Sequence, residues 1–304
     1  MLSSPITLEA LLVLDAIDSR GSFAAAAAQL NKVPSALSYI VQKLEQQLSV
    51  TLFVRQGRRS VLTPAGRHLL VEGRKVLGAM SKITEQTQTI AHGWEPKIRI
   101  GYDSIIDVDQ LLPVLAQFLN QHPNIEIDLS EEVMNGAWEA LNDDRVDLLV
   151  GGPSPVPNQQ GIRTEPYCQL SETLIVPAGH QLASLIQPIS HNDIEDYRTV
   201  IVHDSAQHEA PWSINVIEQS RHFYVGTVHD KIKAIIAGIG IGFLPIARVE
   251  TYLKNGRLIA LEVQETRQPF STFIAWKLVN RGKGLQRLRQ MILAHQAVLM
   301  AIDD

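Results

Sequence analysis

GSFAAAAAQLNKVPSALSYIVQKLEQQLSVTLFVRQGRRSVLTPAGRHLL, residues 21–70, is the stretch that decides the fold of the N-terminal part. Ser22 is a helix cap. Phe23 to Leu30 follow as a short helix made almost wholly of alanine, thin enough for another helix to pack closely. Asn31-Lys32-Val33 breaks it. Pro34 then suits the first turn of a third helix, where a missing N–H costs nothing. That helix runs over 34–48, with Leu37, Val41, Leu44 and Leu48 on one face. Two short helices separated by about three residues, the second amphipathic, read as helix-turn-helix. Thr51, Phe53 and Val54 favour a strand, 56–59 a turn, and Ser60 to Leu62 a return strand. A hairpin in that place is a wing, with Arg55, Arg58 and Arg59 at its tip.

Working outward, residues 8–19 carry apolar positions at helical spacing until Arg20-Gly21 stops them. Thr63-Pro64 opens a long helix that reaches Ala91. Leu69, Val76, Ile83 and Ile90 recur every seven residues, with Met80 following Val76 at i+4. This predicts a helix–helix seam through Leu69, Val76, Met80 and Ile83. The alternative for Leu69, Val76 and Ile83 is packing on their own headpiece.

Beyond the break at 92–96, strand and helix alternate. Strands are expected at 97–104, 125–132, 146–152, 171–179, 197–204, 223–227, 241–249 and 271–278, and helices at 106–121, 135–142, 229–238 and 283–302. Such alternation predicts a mainly parallel, doubly wound α/β sheet. The division expected is a winged helix-turn-helix at 1–65, a linker and dimerisation helix at 66–92, and an α/β two-lobed domain at 96–304. Lobe I would hold 96–162 plus 268–304, and lobe II 163–267.

Charge agrees with that division. Residues 1–92 balance at +4 and residues 93–304 at −9, giving the net −5. A short basic part leading an acidic body suggests a nucleic-acid module. The one cysteine, Cys168, excludes an intrachain disulfide and fits a reducing, cytoplasmic setting. No apolar run approaches a membrane span, and the first residues lack a basic leader start. Ten histidines show no HExxH spacing, so neither a metal site nor any cofactor is expected, and no catalytic residue stands out. His203 and His208, five apart in a loop, do not change this. Gly238, Gly240 and Gly242 suit close helix–strand packing.

Several elements of 21–70 together resemble the N-terminal domain of LysR-type transcriptional regulators: GSF at 21–23, ALS at 36–38, KLE at 43–45, LF at 52–53 and LTPAG at 62–66. IRIGYDS, DLLVGGP, LIVPAGHQLA and KAIIAGIGIGFLPIARV extend the resemblance over nearly the whole chain. It implies a winged helix-turn-helix, a linker-helix homodimer, often a homotetramer, and an effector domain of two Rossmann-like lobes, like periplasmic binding proteins. It implies double-stranded promoter DNA and a small-molecule effector as partners, with RNA polymerase a further one, and no membrane. Family members often carry Gln-Pro before ALS and Arg after it. Here Pro34, Ser35 and Tyr39 stand there instead, so an inherited base preference is not implied.

The expected base readers are Ser35, Ser38, Tyr39 and Gln42, beside Pro34 at the helix start. Lys43, Arg55, Arg58 and Arg59 are expected on phosphates, with the helix start near Ser22. The alternative is a merely solvated helix face and turn. For the effector, the carboxyl ends of strands are the usual crevice. They point to Ser104, Asn135, Gly152, His203, Asp204 and Thr227, and the family's ligand sites use the equivalents of several. Each is otherwise a cap or turn residue. The resemblance implies small anions or aromatic acids as effectors, yet Asp103, Asp107 and Asp109 crowd the first crevice wall. If they face inward, a strongly anionic ligand is disfavoured. A rival reading is a bilobal solute-binding protein without DNA function; an enzyme is the other.

Overall fold

Thr7 and Ser22 start the first two helices in the computed structural model, which describes residues 4–56, 59–158, 160–212, 216–217, 219–264 and 268–303. Each side-chain oxygen accepts an N–H that the first helical turn leaves unpaired, from Ala10 and Ala25 respectively. The helices are α1 (Leu8–Arg20) and α2 (Phe23–Gln29). Gly21, in the left-handed region at φ 73°, turns the chain between them. Pro34 then opens α3 (Pro34–Leu48). Ala26 and Ala27 are fully buried against Val13, Ile17, Leu37 and Val41, so the alanine run allows close helix packing. The hairpin β1 (Phe53–Gln56) and β2 (Arg59–Leu62) pairs antiparallel, and α4 (Pro64–Ala91) follows.

The chain divides into two compact units, Met1–Gln88 and Thr89–Asp304. In the second, β3 (Lys97–Asp103), α5 (Val108–Gln121), β4 (Glu126–Glu132), α6 (Asn135–Asn142), β5 (Leu148–Pro153) and β6 (Ile162–Leu170) come first. Lobe II holds β7 (Glu172–Pro177), α7 (His191–Glu195), β8 (Thr199–Val202), β9 (His222–Val225), α8 (Val228–Ile236), β10 (Gly242–Pro245), α9 (Ile246–Lys254) and β11 (Leu258–Leu261). β12 (Phe270–Lys277) and α10 (Lys283–Asp303) return to lobe I. Lobe I is a five-stranded sheet ordered β4-β3-β5-β12-β6. Its core joins Ile98, Ile100, Phe118, Leu148 and Ile274 to Leu288 of α10. Lobe II has the sheet β10-β7-β11 and the pair β8-β9.

Three expectations are corrected here. The sheets are mixed: among the described residues only β3 with β4 and β5, and β8 with β9, are parallel ladders, whereas β12 runs antiparallel to both β5 and β6. The departing and returning chain segments enter the first sheet in opposite directions. The expected lobe crossing at 162–163 falls inside β6, which pairs with β12 from Ile162 to Leu170, so the chain leaves lobe I only after Leu170. The strand expected at 241–249 stops at Pro245, whose missing N–H ends the ladder. α9 starts at the next residue. β11, four residues long, was not expected at all.

Glycine in the LTPAG element has a steric cause. A Cβ at Gly66 would stand 2.2 Å from the Leu52 carbonyl oxygen, a backbone atom that cannot swing away. Gly78, on the same helix, would meet nothing within 4 Å. Helix propensity alone makes Gly→Ala stabilising by up to about 1 kcal/mol at either place. Gly78→Ala is therefore expected to raise the thermal midpoint of the full chain slightly. Gly66→Ala is expected to lower stability by about 1–3 kcal/mol. Equal effects of the two substitutions would contradict this packing.

Candidate DNA-reading face and interlobe cleft

The third helix separates its two faces cleanly. Leu37, Val41 and Leu44 are buried, while Pro34, Ser35, Tyr39, Gln42 and Lys43 are exposed, Tyr39 at 65%. Ser38 is half-buried and donates its hydroxyl to the Pro34 carbonyl at 3.0 Å, leaving its lone pairs as acceptors. Ser22 is exposed and caps α2. Arg55 is exposed on β1, opposite Ser60. Arg59 lies on β2, but its side chain, like all of Arg58, lies outside the described residues. Ser22, Ser38, Gln42, Glu45, Arg55 and Ser60 line a shared concavity of 440 Å³.

Glu45 fixes the wing to the reading helix. Its Oε1 accepts the N–H of Leu52 at 2.6 Å and of Phe53 at 3.1 Å. The Phe53 ring meets Phe23 of α2 edge-on at 5.5 Å. On α4, Val76, Met80, Ile83 and Ile90 form an exposed apolar stripe. Leu69 is half-buried and packs on the cluster of Leu11, Leu14, Leu52 and Leu70 of its own headpiece, so the exposed stripe starts at Val76 and does not include it.

In the second unit, a cleft of 330 Å³ lies between the lobes. That is the size range of small-molecule sites. Lobe I contributes Asp103, Ile105, Val133 and Met134, and lobe II contributes Val202, Val228, Lys231 and Phe243. Lys231 and Asp103 are both only 4% exposed. Asp103 accepts N–H groups from Ile105 at 2.9 Å and Met134 at 2.8 Å. Burial pushes its carboxyl up to about 7, against those two hydrogen bonds. Met134 holds φ 53° and ψ −120°, a conformation costly for a non-glycine residue, and its N–H is held by Asp103 Oδ2.

Beside the cleft, two carboxylates tie the lobes together. Asp204 of lobe II accepts from Asn135 at 3.1 Å and Gly136 at 2.9 Å, the first N–H groups of α6 in lobe I. It also takes Ala206 at 2.9 Å and Trp212 at 2.6 Å within its own loop. In return Glu139 of α6 accepts from Gln207, His208 and Glu209 of that loop. The N–H groups of Glu209 and His208 hold the Glu139 carboxyl down at about 2. A Cβ on Gly136 would lie 2.1 Å from the Ser205 oxygen, so only glycine allows this docking.

Two family models match the chain: the LysR substrate binding domain over residues 91–297, and the bacterial regulatory helix-turn-helix protein of the lysR family over residues 8–67. The chain is a LysR-type transcriptional regulator. It is 34% identical over 278 residues to the probable HTH-type transcriptional regulator YhaJ of Escherichia coli, covering 91% of this chain and 93% of that protein. It is 31% identical over 267 residues to the HTH-type transcriptional regulator PunR of the same species, covering 88% and 86%. In fold it is similar to a mutant of Corynebacterium glutamicum OxyR, with a TM-score of 0.62 at 17% identity over 99% of this chain and 95% of that one. These relatives are regulators of transcription, not plain solute-binding proteins. Among the described residues no helix is long and apolar enough to cross a membrane.

None of the six residues expected at the regulator's effector site lines the cleft. Ser104 is fully buried; its hydroxyl donates to Glu131 and accepts the N–H of Val228 from lobe II at 2.8 Å. Asn135 and Asp204 belong to the tie just described, and the Asn135 amide also donates to the Ala210 carbonyl at 3.0 Å. Gly152 gives room to the Trp138 ring, 2.8 Å from where a Cβ would stand. Thr227 caps α8, and the exposed His203 stacks on Tyr224 at 4.7 Å. Strand-end reasoning finds the rim because caps and lobe contacts gather there too. Lys231, which does line the cleft, is not among the expected residues. The sequence did carry its signal: on α8 it shares one apolar face with Val228, Ile232 and Ile235, where a solvated lysine does not belong. Gly242 makes its passage possible, since a Cβ there would stand 2.7 Å from the Lys231 Cε.

The Glu139 tie has a pH signature. Its folded value of about 2 lies below the ordinary 4.5, so the ionised form stabilises the folded state fully above 4.5. That contribution fades as pH falls from there toward 2. Glu139→Gln is expected to lower the urea midpoint of the second unit at neutral pH. The gap from the native chain is expected to narrow steadily in acid. A gap independent of pH would contradict the ionised tie.

Proposed function

We propose that the regulator binds double-stranded promoter DNA as a homodimer or homotetramer in the cytoplasm, working by binding and not by catalysis. α3 enters the major groove, where Ser35, Ser38, Tyr39 and Gln42 read base edges beside Pro34. Lys43, Ser22 and the wing arginines Arg55, Arg58 and Arg59 hold phosphates. The stripe Val76, Met80 and Ile83 pairs with its copy in a second subunit and supplies the valency that one small headpiece lacks. A small molecule in the interlobe cleft changes how the assembly engages its site. The observation that carries the reading is the division of α3, with its apolar side in the headpiece core and its polar side exposed.

Fluorescence anisotropy tests it, with a fragment recovered from a pool of genomic DNA by the full chain. Binding is expected to weaken with salt, and the Lys43→Ala/Arg55→Ala variant to flatten that slope by about 0.9 for each phosphate it no longer neutralises. Gln42→Ala is expected to cost about 1–3 kcal/mol of discrimination at one base position. Small-molecule extract from cells is expected to shift the binding curve, and Val202→Phe, which fills the cleft, to abolish that shift. Recovery of no preferred fragment at low salt, or an unaltered slope in the double variant, would overturn the DNA assignment.

A further inference from the structure

The start of α6, beside the cleft, is already engaged by the protein itself. In an α/β crevice these N–H groups are the ordinary cradle for an anionic ligand head. On α6, the N–H groups of Asn135 and Gly136 go to Asp204, and that of Met134 just before them goes to Asp103. On α8, Val228 donates to Ser104 and Asp230 to Thr227. On α6 none of these three successive amides is left to receive a carboxylate or phosphate.

The polar groups of the wall point the same way. The cleft is lined by one buried lysine, Lys231, and by the acidic side chains of Asp103 and Glu172. Asp107 is turned away, 3.2 Å from Arg248, and Asp109 is exposed, so of the acids crowding this wall in sequence only Asp103 faces the cavity. Burial in this wall already drives the Asp103 carboxyl toward its neutral form, and a ligand carboxylate would meet the same desolvation. A cation would meet Lys231. Most of the remaining lining is carbon, including Phe243, Phe270 and Leu244.

We propose that the effector is an uncharged, largely apolar, ring-sized molecule that places a hydrogen-bond donor against Asp103 and carries no carboxylate or phosphate. The proposal rests on the cleft being the effector site. Placing the polar end at Asp103 lets it compete for the carboxylate that holds Met134, the link from lobe I wall to the start of α6.

Two compounds of the same shape and different charge test this: 2-naphthamide and 2-naphthoate, titrated calorimetrically into the full chain at neutral pH. The amide is expected to bind at least about ten-fold more tightly than the carboxylate, and Val202→Phe to remove its binding. Where Val202→Phe fails to fold, Phe270→Trp serves, with its fluorescence reporting occupancy of the cleft. Equal or tighter binding of 2-naphthoate overturns the uncharged assignment. If that binding is also lost in Val202→Phe, the cleft stands as the site and only the ligand class falls. Binding of neither compound to folded protein overturns the assignment as well. The cleft reading is then decided separately by whether cell extract shifts DNA binding in the native chain and not in Val202→Phe.

Discussion

Backbone N–H groups that neither helix nor sheet can pair are costly to bury, and in this chain carboxylates take them up. Glu45 holds the two N–H groups that lead into the wing. Glu95 takes Gly284 and Leu285 at the start of α10. Asp103, Asp204 and Glu139 do the same around the cleft. Glu45 reaches only seven and eight residues along the chain, but the other four acids join segments far apart in sequence, in two cases different lobes. The orientation of the reading face and the shape of the cleft both depend on these junctions.

This gives the acidity of residues 93–304 a structural meaning. Part of the excess negative charge is turned inward, where it serves as hydrogen-bond acceptor. The same use of charge shapes what the cleft can accept. A helix start occupied by the protein's own Asp204 is no longer a place for a ligand's anion. The family resemblance suggested small acids as effectors, whereas the effector proposed from this wall is uncharged. Gly136 and Gly242 are the backbone side of that arrangement, one admitting Ser205 and the other the stem of Lys231.

The headpiece was legible nearly residue by residue because its signals are local. A cap at Ser22, a proline at the first turn of α3 and a four-residue apolar spacing need no knowledge of the rest. The α/β part was legible as alternation but not as topology. β6 and β11 lack a strong local pattern, and the direction of β12 depends on where the chain crosses between lobes. The run IGFLPIARV hid a strand and a helix under one apolar stretch, divided by Pro245. At the cleft, the strand ends pointed to side chains beside the cavity and not to those that line it. Whether Ser104 or Asp204 faces a ligand or the opposite lobe depends on contacts about seventy or more residues away in sequence, which no window can register.

Amide hydrogen exchange on the full chain tests the tie between the lobes most directly. The N–H groups of Asn135 and Gly136 and those of Gln207, His208 and Glu209 are expected to exchange slowly, although the latter three sit in a loop. Asp204→Asn is expected to release both groups together while the β3 and β5 strands keep their protection. Fast exchange of the loop in the native chain, or protection that survives in the variant, would contradict the account.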